Sequence, residues 1–283
     1  MKGKEIFFYA VFVFTQCWNT LLAQCSDAGA CSVKLHSVST GVQLHTAIEY
    51  GNGGKTDGLD FLSLKLSGGY ELSEKSAISV SVPFSRVSGP LGSTSGIGDA
   101  IVLWDQTMTD DAENEIHLQA GAKLATGSSD ANGLSQQYQT GLGTNDLILG
   151  ALYRAQEWRI GIAYQFSQGR SQNTITRLRR GDDIVGQIRY AVESEAITAT
   201  FSCLAVKRLS LSSVRDTSSI PESFVDIAGS DQFQVNILAE ALLPLQQNIS
   251  LELIAAMPLL KREVNVDGLK RAFTISAGIA IRL

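Results

Sequence analysis

The stretch FTISAGIAIRL, residues 273–283, puts Phe273, Ile275, Ala277, Ile279, Ile281 and Leu283 on one face. Thr274, Ser276, Gly278, Ala280 and Arg282 fall on the other. Side chains alternate across a β-strand, so the first set makes an unbroken apolar face and the second a small, largely polar one. A half-buried strand of a soluble sandwich also alternates, and one strand therefore decides little. Recurrence decides it. Val42, Leu44, Thr46, Ile48 and Tyr50 oppose Gln43, His45, Ala47 and Glu49, and Leu62, Leu64 and Leu66 oppose Ser63, Lys65 and Ser67. The same period restarts near positions 78, 100, 116, 147, 158, 184, 197, 233 and 249. That makes about twelve strands, an even number, as closed barrels of the bacterial outer membrane have.

The connections supply a second test, because such barrels join their strands by short turns on the periplasmic side and long loops outside. Tight connections at 71–76, 109–114, 154–157, 193–195 and 244–247 alternate with long ones at 51–60, 86–95, 126–140, 168–182, 207–231 and 260–270. The long ones are rich in Gly, Ser, Asn and Asp, which suits surface loops. The expected fold is thus all-β: a transmembrane antiparallel up-and-down β-barrel over residues 40–283, with both ends in the periplasm.

Composition and targeting agree. A formal net charge of −5 over 283 residues gives no basic surface for nucleic acid. Beyond the N-terminus no run approaches the ~20 consecutive apolar residues of a membrane helix. Lys2 and Lys4, an apolar stretch over 6–14 and Leu21-Leu22-Ala23 read as a secretory signal peptide over 1–23. Residues 24–39 then form a periplasmic segment that could enter the barrel as a plug. Export of amphipathic strands implies the outer membrane, with its lipid as a partner. The terminal strand resembles the signal read by barrel assembly machinery, although Leu283 stands where that signal usually has an aromatic residue.

In the same phase the barrel interior receives Glu49, Lys65, Asp99, Asp105, Glu115, Lys123, Asp146, Arg159, Arg189, Glu240, Glu252 and Arg282. A lumen of about twelve strands is narrower than that of a porin of 16 or more. These charges are read either as a structural ion-pair network filling the interior or as the lining of a permeation route. Ile101, Leu103, Ile148, Leu152, Leu204, Leu238 and Ile254 share the inward phase, and such a mixture suits an amphiphilic solute better than a bare ion.

Three segments carry a likeness to a known family. Residues 96–99 (GIGD), 121–127 (GAKLATG) and 140–146 (TGLGTND) resemble the GxGD, G-x-K-L-P-T-G and G-x-G-T motifs of outer-membrane barrels named for the meta-cleavage pathway of phenol degradation. The likeness spans about residues 50–166, and Ala125 stands where that family often has proline. It implies a passive channel or transporter for small, often apolar or aromatic solutes, and it designates no catalytic residue.

Other reactive side chains point to no enzyme and no cofactor. Cys25 and Cys31 flank a turn-forming segment that an oxidising periplasm would close as a disulfide. Lipidation of Cys25 is disfavoured by Gln24, and a metal role lacks further ligands apart from His36. Cys203 falls on the lipid face. An outer-membrane phospholipase also has about twelve strands, with a serine–histidine dyad at its lipid face, but here His45 and His117 fall inward and no strand shows such a pair outside. Arg180-Gly181-Asp182 matches an adhesion tripeptide, for which a solvated turn is the plainer account.

Overall fold

The computed structural model describes residues 41–111 and 114–283. The stretch 1–23 read as a signal peptide, the 24–39 segment and the Cys25–Cys31 pair lie outside the described residues. The strands are β1 (Val42–Asn52), β2 (Asp60–Ser73), β3 (Ser76–Gly89), β4 (Gly92–Ile97) and β5 (Ala100–Asp111). Next come β6 (Asn114–Leu124), β7 (Asp146–Ala155), β8 (Trp158–Ser167), β9 (Asp183–Glu193) and β10 (Thr198–Arg208). The remainder are β11 (Ser213–Asp216), β12 (Ser223–Asp226), β13 (Phe233–Gln246), β14 (Ile249–Leu260) and β15 (Phe273–Arg282). Twelve of them run antiparallel in chain order, and β1 pairs with both β2 and β15, so the sheet closes on itself. Closure leaves no unpaired strand edge, which a backbone immersed in hydrocarbon requires.

Three strands lie outside the twelve. The connection expected at 86–95 is largely strand: β3 runs on to Gly89, turns, and returns as β4, paired from Phe84↔Ile97 to Gly89↔Gly92. The lower half of β3 pairs instead with β5. Within the expected 207–231 loop, β11 and β12 form a separate two-stranded hairpin. Both hairpins extend the end of the barrel that carries the long connections.

The faces follow the alternation. Leu44 is 45% exposed and Ile48 59%, while Gln43, His45 and Ala47, on the opposite face, are 4–5% exposed. The same division recurs on the other barrel strands, with Leu62, Leu64, Leu66, Ile160, Ile162 and Ile188 outward. An apolar surface that encircles the molecule would be incompatible with water, whereas lipid is its natural solvent. Aromatic side chains border it at both ends. Tyr50 and Phe273 stack at 5.9 Å and Tyr164 and Phe166 at 4.2 Å near the long loops, while Trp158 and Tyr190 meet at 4.8 Å near the short turns. Such girdles mark the two interfaces of a membrane barrel. Cys203 lies outward between them, exposed and unpaired.

Candidate functional site

At the loop end the interior is crossed by a chain of buried ion pairs. Lys123 meets Asp146 at 2.5 Å, and Arg180 reaches Asp146 at 3.5 Å and Asp183 at 3.1 Å. Arg208 bridges Asp183 at 3.0 Å and Asp267 at 2.9 Å, and Arg262 closes the chain on Asp267 at 3.4 Å. All seven side chains are 4% exposed or less. Strand ends of β6, β7, β9 and β10 are thereby fastened to the 168–182 and 261–272 loops. Burial raises the Asp267 carboxyl, but Arg208, Arg262 and Arg180 outweigh it and hold the group well below the usual carboxylate range. Lys123 and Asp146 were expected inward from their strand phase. Arg180 falls in the segment read as a solvated turn, and nothing in the sequence singles out Asp183, Arg208, Arg262 or Asp267.

The run RLRRGDD at 177–183 was the available signal. Its Arg180-Gly181-Asp182 is no solvated turn: Arg180 is 4% exposed, and Asp182 accepts from the Ser167 N–H at 2.8 Å and the Tyr164 hydroxyl at 3.0 Å. A Cβ on Gly181 would lie 2.1 Å from the Ser210 carbonyl oxygen, so only glycine permits this contact. Arg180 is therefore not presented to an adhesion receptor.

The three family-like segments converge beside this chain. Asp99, fully buried, precedes β5 and accepts the N–H groups of Gly127 at 3.1 Å and Leu142 at 2.7 Å. Thr126 donates its hydroxyl to the Gly98 carbonyl at 2.9 Å and accepts from the Ala100 N–H at 2.8 Å. Thr140 donates to the Ile97 carbonyl at 3.0 Å. Gly127 and Gly141 pack backbone to backbone, since a Cβ on Gly141 would lie 2.7 Å from the Gly127 Cα. Asp99 thus fixes the 125–145 connection rather than standing in open lumen. Lys123 is near enough to act on it electrostatically.

Deeper in the barrel the expected charges sit in separate groups. Lys65 and Glu49 face each other at 3.7 Å. Arg189 meets Glu240 at 2.9 Å across the intervening β10. Asp105 holds His117 at 2.9 Å and accepts from the Gln119 amide at 2.8 Å. His117 and Arg154 both approach Glu115 at 3.3 Å. Arg159, half-buried, lies directly across from Arg154 on β7 and Arg189 on β9. Arg282 lies near Glu71 at the short-turn end. Both described histidines face the interior, so neither can join a serine at the lipid face.

His45 reaches Glu252 at 3.0 Å across β15, over Gly278. A Cβ at 278 would lie 2.7 Å from the His45 Nε2 and 2.9 Å from the Ala47 Cβ. Gly278→Ala is expected to cost about 1–3 kcal/mol by overpacking. Urea refolding titrations in lipid vesicles measure it, and an unchanged midpoint would mean that the two side chains do not meet over that residue.

The inward apolar residues do not coat the lumen evenly. Leu204, Val206, Leu238 and Ile254 pack with Ala163, Val185 and Ala256 on β8 to β14, and Ile101, Leu103 and Ile148 pack on β5 and β7. The sector from β15 to β3 carries smaller groups, among them Ser276, Gly278, Ala47, Ser67, Ser79 and Ser81. A cavity of about 70 Å³ lies there, between the β1–β3 wall and the segments 139–142 and 267–271. Its lining includes Glu49, Lys65, Ser63, Ser85, Phe61 and Arg271.

Fold, closure and apolar belt together define a transmembrane β-barrel of the outer-membrane type. No protein-family model matches the chain, and no curated protein matches its sequence. Among solved structures, an outer-membrane channel from Pseudomonas putida F1 aligns with a TM-score of 0.65 at 15% identity, over 87% of this chain and 97% of that one. The NanC porin aligns with a TM-score of 0.50 at 10% identity, over 85% of this chain and all of that one. At such identities the likeness is one of fold, the fold of outer-membrane channel barrels.

Proposed function

We propose that the chain is a passive outer-membrane channel for small amphiphilic or aromatic solutes, seated in outer-membrane lipid and inserted by the barrel assembly machinery through its terminal strand. The observation that carries this reading is the cavity on the β1–β3 wall, where an aromatic ring, apolar side chains, hydroxyls and an ion pair meet inside a closed barrel. The motif likeness to the meta-cleavage-pathway barrels supports the same solute class. Apolar walls lower the cost of carrying an apolar group, and a narrow lumen excludes bulk. Residues such as Lys65, Glu49 and Arg159 are the ones we assign to the route, and the pairs from Lys123 to Asp267 to holding its mouth.

The test is swelling of proteoliposomes in solutes graded by size and polarity. Small amphiphiles are expected to enter without an energy source, and larger sugars poorly. Folded, heat-modifiable protein with no rate above empty vesicles would contradict the reading. A second reading, a non-transporting barrel acting through its outer loops, is favoured by one observation: the buried ion pairs give that end a fixed surface, with the β11–β12 hairpin tied to the 168–182 loop by Arg170 donating to the Ser213 hydroxyl at 2.8 Å.

A further inference from the structure

The connection between β14 and β15 does not simply cap the barrel, because its segment 267–271 stands inside it. Phe61 lies on β2 in the inward phase of Ser63 and Lys65, and Arg208 lies on β10 in the inward phase of Leu204 and Val206. Asp267 is bonded to Arg208 at 2.9 Å, and the guanidinium of Arg271 lies 3.1 Å from the Phe61 ring centroid. Arg208 also holds Asp183, the first residue of β9. Round the closed sheet β9 is the sixth strand from β2 in either direction, through β1, β15, β14, β13 and β10 or through β3, β5, β6, β7 and β8. The two attachments are therefore on opposed walls, and 267–271 crosses the interior between them.

Neighbouring connections brace this crossing. Gly268, at φ +73°, lies against the 136–138 turn so closely that a Cβ would come within 2.7 Å of the Gln137 Cα. Asp57 of the 51–60 connection accepts from the Asn265 amide at 3.0 Å and meets Lys270 at 3.5 Å. Gln232 of the 207–231 connection accepts the Glu263 N–H at 2.6 Å on its side-chain oxygen. Within the segment, Arg271 donates to the Gly268 carbonyl at 2.6 Å and to the Lys270 carbonyl at 3.1 Å, which closes it into a turn. Asp267, Gly268 and Leu269 are all buried. A segment buried and bonded at this many points is a fixed strap rather than a swinging lid, since mobile loops are those with few buried contacts.

What the strap leaves open lies to one side of it. Toward β8–β14 the interior is filled by Leu204, Val206, Leu238 and Ile254. Toward β1–β3 there remains the cavity of about 70 Å³, with 267–271 among its walls. That space takes about five waters at ~10–15 Å³ per water centre, in liquid volume near the bulk of one small solute. Resting on the channel reading, we infer that segment 267–271 is the constriction of the route. It sets an upper size limit near that of a monosaccharide, and solutes pass between it and the β1–β3 wall.

Single-channel recording and proteoliposome swelling of the full chain test this, with arabinose and sucrose as the swelling probes. One variant excises 264–270, so that 261–263 and 271–272 join β14 to β15, within the range of hairpin loops. A second, Asp267→Asn, releases the strap from the β10 wall and keeps its length. Either is expected to enlarge the current steps about twofold, as a wider lumen requires, and to admit sucrose. Wild-type protein should pass arabinose and exclude sucrose. Excising 218–220 from the exposed tip of the β11–β12 hairpin should change neither readout. Heat-modifiability verifies folding, and if one strap variant does not fold the other carries the test. Equal steps and an equal size limit in wild type and folded strap variants, or sucrose entry through the wild type, would overturn the inference alone. A silent wild type beside a conducting strap variant would uphold the constriction and contradict the channel reading. Silence from all of them would overturn both, since the block would then lie below the strap.

Discussion

Arginine at Ile237 is expected to lower the folding free energy in lipid vesicles by about 2–4 kcal/mol, the cost of a cation facing hydrocarbon near the midplane of a barrel strand. Ile237 is 37% exposed on β13, and its cross-strand neighbours Cys203 and Met257 face outward with it. The cost depends on depth. The same substitution at Phe233, where β13 begins at the loop end, should cost only about 0–1 kcal/mol, since the side chain can reach the interface. Ile237→Leu, which keeps volume and polarity, should stay below about 1.5 kcal/mol. Refolding titrations compare the three, and equal costs for arginine at 237 and 233 would mean that the apolar belt is misplaced along β13.

The second large effect is expected at Asp267. Replacing it with Asn removes the carboxylate shared by Arg208 and Arg262 and leaves Asp183 as the carboxylate facing Arg208, at a cost of about 3–5 kcal/mol for breaking the buried pairs. The loss falls first on the 261–272 loop, so trypsin should cut the variant after Arg262, Lys270 or Arg271 while the barrel remains heat-modifiable. The pH dependence has a fixed sign. A carboxyl held below its ordinary value stabilises the fold fully above its unfolded pKa of about 3.9 and loses that contribution only as pH falls through the lower, folded value. Wild-type protein should therefore keep a closed loop at pH 4, whereas Asp267→Asn should show an open one already at pH 7. Equal protease resistance of the two at neutral pH would mean that the loop is held by other contacts.

These effects separate what the linear sequence displays from what it hides. The period of two along 273–283 and its repeats placed Ile48, Leu64 and Ile237 outward and His45, Lys65 and Leu204 inward, because facing is a local property of an extended chain. Strand number and the alternation of short and long connections follow from the same local signals. The Gly92–Ile97 strand is not legible in the sequence because GSTSGI carries no apolar face, its pairing being set by the turn after Gly89. The hairpin at 213–226 is too short for its period to stand out from the surrounding serines.

The ion pairs at the loop end illustrate a deeper limit. Arg208 and Asp267 are 59 residues apart, and nothing near either one tells which partner a buried guanidinium will find. Charged residues in a Gly- and Ser-rich loop look solvated, as Arg180 did, until the loop folds back across the barrel mouth. Charge on a strand is different: Lys123 and Asp146 are direct cross-strand partners, and alternation alone put both inside. Asp99 shows the intermediate case, inward as expected but engaged with the backbone of two glycine-bearing segments instead of with the lumen. The uneven interior, bulky on β5 to β14 and small from β15 to β3, needed the strands' arrangement in space, since residues of β15 and β3 become neighbours across β1 and β2 only on closure.

Single-channel recording of the full chain in planar bilayers tests the central claim most directly. Discrete, reproducible current steps of small amplitude are predicted with no energy source, as a narrow twelve-stranded route requires. A bilayer that stays silent above the protein-free control, with protein verified as folded and inserted, would contradict the account.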